Sequence, residues 1–148
     1  MDFQNSLKIN SSGLSAHRAW MNVVSANLAN AHNTRADNGK AYQRRTLIYE
    51  SVPVPSQFDT DLEEAMSDPE ADLQRVRVVE IVPDKRQFRQ VYDPNHPDAN
   101  ENGIVEMPNI NPVEEMANLL IATRSFEANL AALNTTKQMA MKAIEIGR

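Results

Sequence analysis

Cysteine is absent from the 148 residues. Without a thiol there is no disulfide, no thiolate nucleophile and no cysteine-built zinc site. Glycine occurs only four times, too few for a glycine-rich phosphate cradle. The P-loop, G-x-G-x-x-G, G-x-S-x-G and H-E-x-x-H patterns are all missing, so the parts of the common catalytic sites are not here. Aromatic residues make up 5% of the chain and hydrophobic residues 41%, which argues against a large packed core. No apolar run approaches the ~18 residues of a membrane-spanning helix. The opening MDFQNSLKIN lacks a charged start followed by an apolar run, so no cleavable secretory signal is expected. Lys and Arg number 15 against 20 Asp and Glu, a net charge of −5, which disfavours nucleic acid and anionic membranes as partners. The length allows one domain, or one with an appendage. A cysteine-free chain suits a reducing cytoplasm, and equally suits export in an unfolded state without signal cleavage.

What is present is concentrated at the two ends. From Pro112 to Gly147, the residues Met116, Leu119, Thr123, Phe126, Leu130, Leu133, Lys137, Ala140 and Ile144 alternate by three and four. That spacing predicts a helix with a heptad seam, polar only at Thr123 and Lys137. Asn111 is placed to cap it, Pro112 takes the first helical position, and Glu114 completes a capping-box spacing. Gly147 is a stop signal. The N-terminal stretch from about Gln4 to Ala31 repeats the logic with Leu7, Asn10, Leu14, His17, Met21, Val24, Leu28 and Ala31. Gly13 inside it costs about 1 kcal/mol of helix propensity relative to Ala. Ile9, Ala16, Trp20 and Val23 form a second apolar line. A helix with two apolar faces needs more than one neighbour. Paired with each other, the two helices would leave spare apolar lines for other subunits.

The middle reads differently. Ala41 to Val54 is rich in β-formers and is expected as a strand with an edge-like, proline-marked exit. Gln57 to Asp72 is strongly acidic with no basic residue, the composition of a solvated loop. Gln74–Val82 and Gln87–Tyr92 flank Pro83-Asp84-Lys85-Arg86 and are expected to pair as a hairpin with a basic face. Asp93, His96 and Asp98 lie in a proline-rich loop and could in principle ligate a metal, but one histidine with two loop carboxylates is a weak donor set. Asn102-Gly103 marks a turn before a short strand, Ile104–Met107.

Two segments at the ends carry a resemblance. MNVVSANLANAHNT (Met21 to Thr34) resembles the asparagine-rich N-terminal signature of flagellar rod and hook proteins. RSFEANLAALNTTKQMAMKAIEIG (Arg124 to Gly147) resembles the C-terminal signature of the same family, and VYDPNHPDANENGIVEMPNINPVEEM (Val91 to Met116) is similar to a segment that marks a proximal-rod member. The acidic stretch matches no family pattern. The resemblance implies a non-enzymatic subunit that leaves the cytoplasm through the flagellar type III export apparatus. It implies helical assembly with other copies and other rod proteins inside surrounding ring proteins, in the periplasmic part of the basal body. No cofactor, metal, nucleic acid or membrane insertion is implied.

The combined expectation is an α+β chain. Residues 1–34 and 112–148 form terminal helices paired as a coiled coil. Residues 35–111 form a small middle domain with a β-hairpin and an acidic loop at 56–73. Subunit contacts are assigned to Leu14, Met21, Val24, Leu28, Met116, Leu119, Phe126, Leu130, Leu133 and Ile144, with Asn27, Asn30, Asn129 and Asn134 as register-setting polar groups. For the apolar set, packing within one chain is the equal alternative. Two other readings compete: a small metal-dependent enzyme using Asp93, His96 and Asp98, and a coiled-coil adaptor with one partner.

Overall fold

A computed structural model describes residues 3–36, 39–54 and 73–147. The acidic stretch, and Asp37 and Asn38 of the turn beside Gly39, lie outside these residues. The element order is α1 (Phe3–Ala29), β1 (Arg45–Pro53), β2 (Gln74–Pro83), β3 (Arg89–Tyr92), β4 (Ile104–Met107) and α2 (Pro112–Ile146). The fold is therefore α+β, with two helices and two small antiparallel sheets among the described residues. At ~1.5 Å per residue, the 35 residues of α2 extend about 52 Å. Its start follows the sequence signals: the Asn111 side chain accepts a hydrogen bond from Val113 N–H, with Pro112 at the first helical position.

The strands pair differently from the expected hairpin. β2 pairs with β1, from Arg45 opposite Pro83 to Pro53 opposite Gln74. β3 pairs with β4, from Arg89 opposite Met107 to Tyr92 opposite Ile104. Pro83-Asp84-Lys85-Arg86 is thus a passage between sheets. Its Asp84 N–H donates to Arg44 O at 2.7 Å, and the Asp84 carboxylate accepts from Arg86 N–H at 3.0 Å. A side chain that ties down its own loop this way competes with a tight hairpin turn. In the second sheet the Asn102-Gly103 signal closes the connection into β4. Gly103 has φ +72°, and a Cβ there would lie 3.0 Å from the Tyr92 ring, so any other residue would be strained.

α1 packs against α2 on one side and against β2, with part of β1, on another. Three contacts fix the helix pair as antiparallel: Asn27 with Glu115, Met21 with Thr123, and Gly13 with Asn129. At Gly13 the Asn129 side chain comes close; a Cβ would sit 2.8 Å from Asn129 Nδ2. The glycine that looked like a helix defect is a contact point. The second apolar line of α1, with Ala16 and Val23 buried, has its neighbour inside the chain: Ser12, Ser15, Ala16 and Ala19 face Arg75–Val78 of β2. Ile9 and Trp20 of the same line are half-buried. Ser12 Oγ accepts a hydrogen bond from Val76 N–H and so covers part of the free β2 edge.

The side of α2 that is covered differs from the seam read in the sequence. Glu115 and Ala122 are buried, and Leu119, Phe126, Asn129 and Leu133 are half-buried. Met116, Leu130 and Ile144 are 51%, 43% and 69% exposed. The buried stripe shares Leu119, Phe126 and Leu133 with the expected seam but is turned toward polar and small residues. Near the end of α2, Met139, Met141 and Ile146 are exposed as well. Following the pairing backward from Gly13 and Asn129, the last two turns of α2 run past the start of α1.

Candidate functional site: a buried polar junction and an exposed helix face

All the larger elements meet at one polar junction. Asn27, in the last turns of α1, is fully buried. Its Nδ2 donates to Arg45 O at 2.9 Å and to Glu115 Oε2 at 3.2 Å. Its Oδ1 accepts from Arg45 N–H at 2.9 Å and from the Tyr42 hydroxyl at 3.3 Å. An amide side chain has two donor hydrogens and two acceptor lone pairs, and all four are used inside the chain. One side chain therefore pins the outer edge of β1 and the first turn of α2 to α1.

Glu115 is the second buried member, at 1% exposure. Its Oε1 accepts from Arg44 Nε at 2.8 Å. Arg44 reaches on to Asp84 Oδ2 at 3.4 Å, and Arg86 Nε donates to the same oxygen at 2.8 Å. The Arg44 backbone N–H donates to Asn109 Oδ1 at 2.9 Å, and Asn109 Nδ2 donates to Arg86 O at 3.0 Å. Buried carboxylates are stable only when paired and hydrogen-bonded, and both conditions hold here. Burial pushes the Asp84 carboxyl up, but the Arg86 N–H and guanidinium, with Arg44, more than offset this and hold it below the usual carboxylate range. Burial pushes the Arg44 guanidinium down, but Glu115 and Asp84 outweigh it and raise its pKa. Burial raises the Tyr42 hydroxyl, with Arg45 opposing and Glu115 adding to the shift. Tyr42 also packs with Ala31, Ile110 and Ala36 in a small apolar cluster beneath the junction.

The residues assigned from the sequence fall in several environments. On α1, Val24 and Asn27 are buried, while Leu14, Met21 and Leu28, and Asn30 in the turn after it, are half-buried. Asn30 bonds locally, donating to Ala26 O at 2.8 Å and accepting from Asn33. On α2, Leu119, Phe126, Asn129 and Leu133 are half-buried against the rest of the chain. Met116, Leu130, Asn134 and Ile144 are exposed. They lie beside Val113, Leu120 and Met141, and together they put a row of apolar side chains on the outer side of α2. Isolated exposed apolar residues need no explanation, but a row of them along one long helix marks an interaction surface.

Sequence reading missed Glu115, Arg44, Asp84 and Asn109. Glu115 stands beside Glu114 as an acidic residue of the first turn of α2. Its partners Asn27 and Arg44 are 88 and 71 positions away, and no periodic pattern links them. The one available signal was Asn27 itself, a polar residue beside the apolar seam.

The loop with Asp93, His96 and Asp98 is internally occupied. Asp93 accepts from Asn95 N–H at 3.2 Å, His96 Nδ1 accepts from Asp98 N–H at 3.1 Å, and Asp98 accepts from the Thr34 hydroxyl at 2.7 Å. Among the described residues no group of three or more His, Asp or Glu is arranged to hold a metal. No described helix is long and apolar enough to cross a membrane.

Comparison with known proteins agrees with the two-ended pattern. The family described as "Flagella basal body rod protein" matches residues 7–35, and the family described as "Flagellar basal body rod FlgEFG protein C-terminal" matches residues 101–146. The chain is 43% identical to the flagellar basal-body rod protein FlgC of Bacillus subtilis, over 97% of each chain. It is 38% identical to FlgC of Aquifex aeolicus, over 98% of this chain and 97% of the relative. It is 31% identical to FlgC of Salmonella typhimurium over the whole of both chains. A long helix face left open to neighbours and full-length likeness to these relatives lead to one conclusion: the chain belongs to the FlgC family of flagellar basal-body rod proteins, and it is a structural subunit of that rod.

Proposed function

We propose that the outer face of α2 is the principal surface through which this subunit joins its neighbours in the rod. The observation that carries the proposal is Met116 and Leu130, exposed at 51% and 43% on a stretch of helix whose other side is already covered, continued by Ile144, 69% exposed where α2 runs past the start of α1. Head-to-tail contacts that do not close on themselves build a helical tube, and apolar lines open in the monomer are then covered by neighbours. The neighbours are other copies of the chain and other rod proteins. Leu14, Met21, Leu28, Leu119, Phe126 and Leu133, half-buried within the chain, have surface left for the same contact. Asn134 is the polar group best placed to fix register between subunits, since it is exposed on α2. Asn27 and Val24 act from inside, by holding α1, β1 and α2 together. Asn30 and Asn129 hold the local geometry of α1 and the approach of the two helices.

In this reading residues 1–34 and 112–148 form the inner, coiled-coil part of the assembled wall, and residues 35–111 form an outer domain. The two helices supercoil when neighbours complete the heptad seam of α2, which a single chain covers only on one side. The subunit reaches the periplasmic rod through the flagellar type III export apparatus, and the surrounding ring proteins meet its outer domain. Absence of cysteine supports passage as an unfolded chain into an oxidising compartment, since no wrong disulfide can form.

Leu130→Asp tests the interface. At 43% exposure the carboxylate costs the monomer little, so synthesis and folding continue. Buried and unpaired between subunits, the same charge blocks assembly. Cells carrying only this variant are expected to be non-motile, with the subunit absent from purified basal bodies. Normal swimming would refute the assignment.

A further inference from the structure

α2 carries two overlapping stripes spaced by three and four. One runs Glu115, Leu119, Ala122, Phe126, Asn129, Leu133; the other replaces Glu115, Ala122 and Asn129 by Met116, Thr123 and Leu130. The second is the more apolar, and burial of apolar area alone would turn it toward α1. The structure turns the first, with Glu115 and Ala122 at 1% and 0% exposure. At about 100° per residue, the centres of the two stripes lie about 50° apart around the helix.

The hydrophobic effect is non-directional and does not make this choice. The directional interactions at the interface are polar. Glu115 is held by Asn27 and Arg44 at 3.2 and 2.8 Å, and Gly13 leaves room for Asn129 to approach α1. A buried ion pair is a poor stabiliser, because apolar residues of similar volume often serve as well or better. It is an effective selector, because its geometry is satisfied in one arrangement only.

We infer that the Asn27–Glu115–Arg44 network is a rotational lock on α2. It holds the helix about 50° away from its most apolar packing, and so keeps Met116 and Leu130 outward for the neighbouring subunit. The inference rests on the reading of that face as the assembly surface. When Glu115 becomes apolar, Arg44 keeps Asp84 and solvent, its side chain being 16% exposed. α2 then rolls, closes its apolar stripe on α1, and the subunit becomes folded but unable to assemble.

The cysteine-free chain permits a direct test by single introduced thiols. Met116→Cys and Leu130→Cys report the stripe, and Ile121→Cys, on the other side of the helix and 53% exposed, is the control. Maleimide labelling of the full-length monomer is measured with Glu115 present and in the Glu115→Leu background. Labelling at 116 and 130 is expected to slow about tenfold, with no change at 121 and no fall in the thermal midpoint. Unchanged rates at 116 and 130 overturn the lock. If Glu115→Leu does not fold, the same labelling in Glu115→Gln, which removes the charge and keeps the size, is expected to show a smaller slowing at 116 and 130 alone. Loss of the fold in both, with fast labelling everywhere, also overturns it, since the network would then hold the fold rather than select a packing. This readout needs no assembly and is therefore separate from the interface test. If labelling slows but Leu130→Asp still builds rods, the interface reading fails while the roll stands. If labelling is unchanged while Leu130→Asp blocks assembly, only the lock fails.

Discussion

Gly13 offers a measurement of how closely the two helices approach. Replacing glycine by alanine inside an exposed helix stabilises it by about 1 kcal/mol, because glycine loses more backbone freedom on folding. Here the added Cβ would lie 2.8 Å from Asn129 Nδ2, with Asn129 Cγ next at 3.6 Å. The conflict is with the end of a flexible side chain, not with backbone. The amide must move by roughly half an ångström or leave its rotamer, which costs about 0.5–1.5 kcal/mol. The propensity gain and the steric cost are equal in size, so Gly13→Ala alone should leave stability within about 0.5 kcal/mol of the parent. In an Asn129→Ala background the obstacle is gone, and Gly13→Ala should then stabilise by the full ~1 kcal/mol. At about 3 °C per kcal/mol for a chain of this size, that is a rise of about 3 °C in Tm. The four proteins are compared by urea and thermal unfolding as a double-mutant cycle. The expected coupling is about 1 kcal/mol. Additivity within about 0.3 kcal/mol would mean that Gly13 and Asn129 do not touch, and the antiparallel register would have to be redrawn.

The junction and the free end of α2 make three further predictions. Arg44→Met leaves Glu115 buried with Asn27 as its remaining partner, and should cost about 3 kcal/mol by denaturant unfolding; Arg44→Met with Glu115→Leu should recover most of that loss. Because the Asp84 carboxyl is held below its usual range in the folded chain, its contribution is fully present above the unfolded pKa of about 3.9 and is lost as pH falls through the lower folded value. Asp84→Asn should therefore flatten the acid limb of a stability–pH curve below about pH 4, and an unchanged limb would count against the Arg86 and Arg44 contacts. In hydrogen exchange on dilute monomer, the amides of Lys142–Ile146, past the start of α1, should exchange fast and those of Val23–Asn27 slowly, with the former gaining protection on assembly.

The two helices were legible because period and caps are local properties: Asn111, Pro112 and the three-and-four spacing each act within one turn or two. The β-rich character of Ala41–Val54 was legible for the same reason, although the strand itself starts at Arg45. Pairing was not. Gln74–Val82 and Gln87–Tyr92 are neighbours in sequence, and a four-residue turn between β-forming runs is a good hairpin signal. Asp84 instead engages Arg44 and Arg86, a tertiary choice that no local pattern contains. The heptad seam misjudged the rotation of α2 for a related reason. Counting apolar residues ranks Met116 over Glu115, and only Asn27 and Arg44, far away in the chain, reverse that ranking. Gly13 was seen as a cost in propensity, whereas its benefit lies in the partner helix.

The account turns on which side of α2 meets other subunits. An electron-microscopy reconstruction of the assembled rod containing this chain, at a resolution that places side chains, tests this most directly. The expected result is Met116, Leu130 and Ile144 covered by neighbouring chains, with Glu115 still facing Asn27 of its own chain. A map in which those three side chains face solvent, or pack only against their own α1, would contradict it.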